Sequence, residues 1–165
     1  MQQQKKMALI NDVTGFGRCS IAVMAPIISA MKIQAVTVPT AILSTHTQFP
    51  EYFFDDYTPK MRDYIQTYKN LKMEFDGIAT GFLGSKEQVD IVIDFIHTFK
   101  TDKSVILIDP VMGDYGQLYK TYTPEMCEKM KELVAKDMPF HRYDVQTERA
   151  IKEFRKSGYD DKSAS

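Results

Sequence analysis

The chain of 165 residues is 44% hydrophobic and 26% charged, with a formal net charge of −1. That is the balance of one soluble globular domain long enough to bury a core, and it leaves no electrostatic footprint for nucleic acid or an anionic membrane. The two cysteines, Cys19 and Cys127, lack metal-ligand spacing and point to a reduced, cytoplasmic setting, and no apolar run suits a signal peptide or a membrane span.

Strand and helix patterns alternate along the chain. Residues 8–10 read as a short apolar strand running into Asn11-Asp12 and a turn with Gly15 and Gly17. Ser20 is placed to cap a helix over 21–31, with Val23, Ile27, Ile28 and Met31 at helical spacing and Pro26 inside it. Residues 34–38 and 41–43 read as strands. Thr58-Pro59 supplies an N-cap and a proline at the first helical position, followed by Met61, Ile65, Tyr68 and Leu71 on one face. Residues 77–80 are a strand ending in Gly81-Phe82-Leu83-Gly84. Ser85 and Gln88 form a capping box for a helix to about Phe99, with Val89, Val92, Ile93 and Ile96 inward. Residues 105–108 read as a fully buried parallel strand, and a loop then runs to Tyr122. Thr123-Pro124 repeats the cap-and-proline start for a last helix to about Lys136. A short helix over 145–156 is conceivable in the tail, which is poor in aliphatic residues. The predicted fold is α/β, a mostly parallel sheet with helices on both faces.

The polar groups gather where these strands end. The 105–108 strand delivers Asp109, Pro110, Gly113 and Asp114. Ligands of open α/β sheets bind at the strands' carboxyl ends, and hard carboxylates there suit Mg²⁺ and the phosphates it bridges. The same residues are also ordinary turn formers. The 11–20 loop puts Asp12 at a strand tip and glycines before a helix, but it matches neither a dinucleotide fingerprint nor a P-loop. His46 lies between hydroxyls in Ser44-Thr45-His46-Thr47-Gln48. It suits either a ring ligand or a satisfied buried histidine. Cys127 reads as core rather than nucleophile, and His97 and His141 have no partner pattern.

The stretches LINDVTGFGRCS, STHTQ, TGFLGS and IDPVMGDYGQLYKTYTPEM, in this order, resemble the pyridoxal/pyridoxamine/pyridoxine (vitamin B6) kinases of the ribokinase-like superfamily. The bacterial pyridoxamine-kinase type is the most similar. The resemblance covers about residues 7–136, the N-terminal half of such a kinase domain, and leaves 137–165 as an unrecognised tail. DPVMGD is shared with hydroxymethylpyrimidine kinases, whereas STHTQ with Tyr119 is more specific to the B6 group. The resemblance implies a Rossmann-type three-layer fold, ATP as co-substrate with Mg²⁺, and transfer of the γ-phosphoryl group to the vitamer's 5′-hydroxymethyl. It implies vitamer contacts at Asp12 (where the family usually has serine), His46, Thr47, Phe82 and Tyr119. It puts Asp109 and Asp114 near the ATP phosphates and their cations, with Asp114 toward the metal. A homodimer is a further expectation.

Two family segments are not found. Lys136 leads into Asp-Met-Pro-Phe-His-Arg-Tyr rather than TPNxxE, and no GTGD, the motif holding the family's catalytic base, occurs in the chain. No catalytic residue is therefore assigned, and the isolated chain is expected to be inactive. The alternatives are a non-catalytic vitamer-binding or interaction module and a hydroxymethylpyrimidine kinase relative. Either way, an incomplete sheet should leave an open edge or an exposed apolar patch.

Overall fold

The computed structural model describes residues 4–114, 117–119 and 121–135. The predicted tail at 137–165, including the conceivable helix, lies outside the described residues. The elements run β1 (Lys6–Phe16), α1 (Ile21–Ala30), β2 (Gln34–Thr45), β3 (Phe54–Asp56), α2 (Thr58–Asn70), β4 (Gly77–Thr80), α3 (Lys86–Phe99), β5 (Val105–Leu107), β6 (Gly113–Asp114), β7 (Gln117–Leu118) and α4 (Pro124–Ala135). A five-stranded sheet is ordered β3-β2-β1-β4-β5. β1, β2, β4 and β5 are parallel, and β3 joins the outer edge of β2 antiparallel. No helix among the described residues is long and apolar enough to cross a membrane.

Register aligns the core. Val36, Ala8, Ile78 and Ile106 lie abreast across the four parallel strands, on the face that packs against α2, α3 and α4. Met61 and Ile65 of α2, Val89, Val92 and Ile96 of α3, and Met126, Met130 and Leu133 of α4 complete this cluster. The α3 spacing in the sequence thus marks its buried face correctly. The β1–α1–β2 crossover steps one way across the sheet, while β4–α3–β5 steps the other. Right-handed crossovers then put α1 on the opposite face from α3. On that face Leu9 and Ala79 are buried, but α1 buries none of its own residues.

Several local expectations change. β1 does not end at Ile10 but continues through Asp12 to Phe16, because β2 keeps pairing with it. The two predicted strands at 34–38 and 41–43 are one strand. Pro39 has no N–H to give the ladder, and a bulge absorbs it: Thr40 and Ala41 together oppose Asp12. The 105–108 run is an edge strand rather than a fully buried one. Ile106 and Ile108 are buried, but Val105 is 57% exposed. The expected loop to Tyr122 contains the small β6–β7 hairpin.

Two predicted caps also differ. Ser20 stands at the N-cap of α1, but its hydroxyl makes no cap bond. Tyr57 rather than Thr58 is the N-cap of α2, and Thr58 Oγ1 instead donates to Asp56 Oδ1 at 2.6 Å. Ser85 does cap α3, accepting the Gln88 N–H at 3.2 Å. The other half of that capping box reaches one residue further back than expected, with Gln88 Oε1 accepting the Gly84 N–H at 2.7 Å. Thr123 accepts the Met126 N–H at 3.2 Å, as a cap should.

Candidate functional site

Parallel pairing brings the predicted residues to one end of the sheet. Ile10 pairs with Thr80, and Ala79 with Leu107, so Asp12, in the second half of β1, lies toward the same carboxyl end as Phe82 and Asp109, which follow β4 and β5. The Asp109 N–H donates to Thr80 Oγ1 at 3.2 Å, tying the exit of β5 to β4. Asp114 lies in β6, where its backbone pairs with Gln117.

Asp12 is buried. Its Oδ2 accepts from Thr14 Oγ1 at 2.7 Å and its Oδ1 from Ser20 Oγ at 2.5 Å. Those hydroxyls satisfy part of a carboxylate that has roughly four acceptor sites. No ion pair among the described residues reaches it. The bond also accounts for Ser20, a non-glycine residue at φ 51°. Such backbone typically costs about 1–3 kcal/mol, so it needs a fixing contact.

His46 closes over the same end. Its backbone N–H donates to the Phe16 carbonyl at 3.1 Å. Its ring lies 4.6 Å from the Phe49 ring, centroid to centroid. Gly17, at φ 117°, leaves room for it, since a Cβ there would come 2.4 Å from His46 Cδ2. His46 Nδ1 accepts the Gln48 N–H at 3.2 Å. A neutral ring with Nδ1 as acceptor carries its proton on Nε2, which is then a donor. Thr47, next in the turn, is exposed.

Phe82 and Tyr119 meet edge to face, with ring centroids 5.6 Å apart and planes at 77°. The Tyr119 N–H donates to the Met112 carbonyl at 3.0 Å, which holds the hairpin end over the 81–84 loop. This aromatic pair was legible only through the family resemblance, because 37 positions separate the two residues in the numbering.

Three residues that the sequence reading did not assign to the site connect these parts. Asn11 Oδ1 accepts two backbone N–H groups, those of Asp12 and Phe82, both at 2.9 Å. Thr40 Oγ1 donates to the Phe82 carbonyl at 2.8 Å. Gln88 is wholly buried, and its Nε2 donates to the Thr40 carbonyl and to Thr58 Oγ1, both at 2.8 Å. The available signal was a polar residue inside an apolar strand or helix face, and it does not name the partner.

Other candidates recede. Burial pushes the Cys127 thiol up, which suits a core cysteine. An open groove of about 640 Å³ is lined by Ser44 and Pro50 to Phe53, and none of the predicted site residues lines it. Among the described residues no three His, Cys, Asp or Glu side chains form a metal-binding group.

No protein-family model matches the chain. A Bacteroides thetaiotaomicron protein assigned as a phosphomethylpyrimidine kinase superposes with a TM-score of 0.84 and 39% identity, over 92% of this chain and 52% of that one. An orthorhombic form of a protein so described, with pyridoxal, gives a TM-score of 0.77 and 38% identity, over 94% and 59%. The pyridoxal kinase of Leishmania donovani in complex with ADP and pyridoxamine shares the fold, with a TM-score of 0.78 at 16% identity over 93% and 61%. A Schizosaccharomyces pombe protein assigned as a pyridoxal kinase is 38% identical over 47 residues, 27% of this chain and 14% of its own length. The chain therefore spans between 52% and 61% of these solved chains. Over about half of their length the chain is similar in sequence and fold to the proteins assigned as phosphomethylpyrimidine kinases and in fold to pyridoxal kinases of the ribokinase-like type, and its sequence likeness to the Schizosaccharomyces pombe protein assigned as a pyridoxal kinase spans 47 residues.

Proposed function

We propose that the chain carries the vitamer-binding part of a kinase site that phosphorylates pyridoxal, pyridoxamine or pyridoxine at the 5′-hydroxymethyl group. The observation that carries this reading is the Phe82–Tyr119 aromatic pair at the sheet's carboxyl end, linked through Asn11 to the buried Asp12. An aromatic edge beside a fixed carboxylate suits a flat heteroaromatic ring with polar substituents. In this reading Phe82 and Tyr119 contact the ring. Asp12, His46 and Thr47 address its polar edge, and His46 Nε2–H offers a donor.

ATP is the co-substrate in this proposal. Asp109 and Asp114 would face its phosphates and Mg²⁺. Such an ion takes one or two carboxylates and completes its octahedron with phosphate oxygens and water, so two hard carboxylates after β5 fit it. Bound Mg²⁺ neutralises phosphate charge. The protein's own contribution is to position the vitamer and exclude water. A cytoplasmic setting belongs to the same reading.

A second reading is a hydroxymethylpyrimidine-type kinase, favoured by the name given to the 39% identical relative. The pyridoxal in the related orthorhombic form supports the first. Calorimetric titration with pyridoxal, pyridoxamine, pyridoxine and hydroxymethylpyrimidine separates them. Saturable binding of a B6 vitamer, at least tenfold tighter than the pyrimidine, is the expected result. The reverse order would overturn the vitamer reading.

Self-association is part of the proposal. Phe16 (64% exposed), Ile27 (56%), Met31 (61%) and Phe53 (64%) leave apolar surface around α1 and the ends of β1 and β2. Large apolar side chains exposed in this way are what a second copy of the chain would bury. Sedimentation velocity should show a concentration-dependent dimer that Ile27→Lys and Phe53→Lys shift to monomer. A monomer at all concentrations would contradict this.

A further inference from the structure

We infer that Thr40, with Asn11 and Gln88, clamps the 81–84 loop and so acts as a positioning residue for the Phe82 ring. The inference rests on the vitamer-site reading above. The backbone on both sides of Phe82 is held by buried side chains from three different elements. Its N–H goes to Asn11 of β1, and its carbonyl takes the hydroxyl of Thr40 from β2. The Gly84 N–H goes to Gln88 of α3. Thr40 and Gln88 are both fully buried.

Thr40 is the centre of the clamp. It lies in the β2 bulge opposite Asp12, and a bulge re-aims the side chains beside it. From there its hydroxyl reaches past β1 to the loop that follows β4. Its carbonyl accepts from Gln88 Nε2, so the same residue ties the loop to α3. Gln88 is anchored in turn by Thr58 Oγ1 and, at 3.2 Å, by Asp56 Oδ1. The loop thus has little backbone freedom, so the Phe82 side chain leaves the backbone in a fixed direction toward Tyr119. A ring fixed in advance binds without the entropy cost of ordering it.

The test uses the absence of tryptophan from the chain. Phe82→Trp supplies a single fluorophore, and Thr40→Val and Thr40→Ser are compared in that background. Thr40→Val, which loses the hydroxyl at nearly constant volume, should speed nanosecond depolarisation of Trp fluorescence. It should also weaken pyridoxal binding about fivefold, the worth of one hydrogen bond. Thr40→Ser should restore both. With Phe82→Ala, which removes the ring, Thr40→Val should change pyridoxal affinity by less than about twofold, since coupling vanishes when its target is gone.

Equal depolarisation in the valine and serine variants would overturn the clamp. So would a Thr40→Val effect on pyridoxal that is the same with and without the ring. If Phe82→Ala itself leaves pyridoxal binding unchanged, the vitamer reading fails, and the fluorescence comparison still decides the clamp.

Discussion

Incubated with ATP, Mg²⁺ and any of the three B6 vitamers, the purified 165-residue polypeptide is expected to release no detectable phosphorylated vitamer. The reason is chemical. Phosphoryl transfer relies on positioning and on stabilising charge at the phosphates. A general base within hydrogen-bond reach of the attacking hydroxyl contributes about two to four decades of rate. The family resemblance implies that such a base and a glycine-rich anion hole lie in a GTGD motif, which these residues do not contain. Without both, turnover is expected to fall far below ordinary assay limits. Steady turnover from this polypeptide, abolished by a point change within it, would require a base elsewhere in the chain.

Gly81→Ala should be strongly damaging for a single added methyl group. A Cβ at Gly81 would stand 2.2–2.6 Å from Nδ2, Cγ and Oδ1 of Asn11. Asn11 cannot retreat without giving up the N–H groups of Asp12 and Phe82. Overpacking and the weakening of these two hydrogen bonds together are expected to cost about 2–4 kcal/mol. Gly84→Ala is the matched control. Its Cβ would meet the Phe82 ring at 3.5 Å, an ordinary contact. It should cost under about 1 kcal/mol, within the usual range for tolerated changes. Urea unfolding of the two variants checks this, and equal midpoints would contradict the packing described around Asn11.

The parts of the fold that repeat were legible in the sequence, and the parts that depend on a distant partner were not. Val89, Val92, Ile93 and Ile96 follow a helical period, so the α3 core face was readable. β4 matched its predicted bounds because polar and glycine residues bracket four buried positions. The β1 extension was hidden, since Asn11-Asp12-Val13-Thr14-Gly15 has turn-like composition. Pairing with β2 overrides that local preference. Pro39 split β2 on paper, whereas the bulge keeps it whole. A short apolar run such as 105–108 does not reveal whether a neighbour lies on each side, so its edge position was unreadable. Periodicity in α1 marked an apolar stripe, but not whether anything in the chain covers it.

The site followed the same rule. The family resemblance pointed to Asp12, His46, Phe82 and Tyr119, and the fold places them at one end of the sheet. The contacts that hold them were invisible. Ser20 read as a helix cap, but its hydroxyl is spent on Asp12. Gln88 read as half of a local capping box, yet it also reaches Thr40, 48 positions away. Side chains of this kind serve whichever backbone group the fold delivers, and only tertiary structure reveals it.

We propose that this sheet end receives a B6 vitamer at Phe82 and Thr47, while Asp114 serves the phosphates. Pyridoxal dissociation constants for the parent chain, Thr47→Ala, Phe82→Ala and Asp114→Asn test it directly. The account predicts saturable binding by the parent, weakened about fivefold or more by Thr47→Ala and Phe82→Ala, each on the scale of one lost contact. Asp114→Asn should change it by less than about twofold. No saturable binding, or binding lost with Asp114→Asn and kept with the other two, would contradict the account.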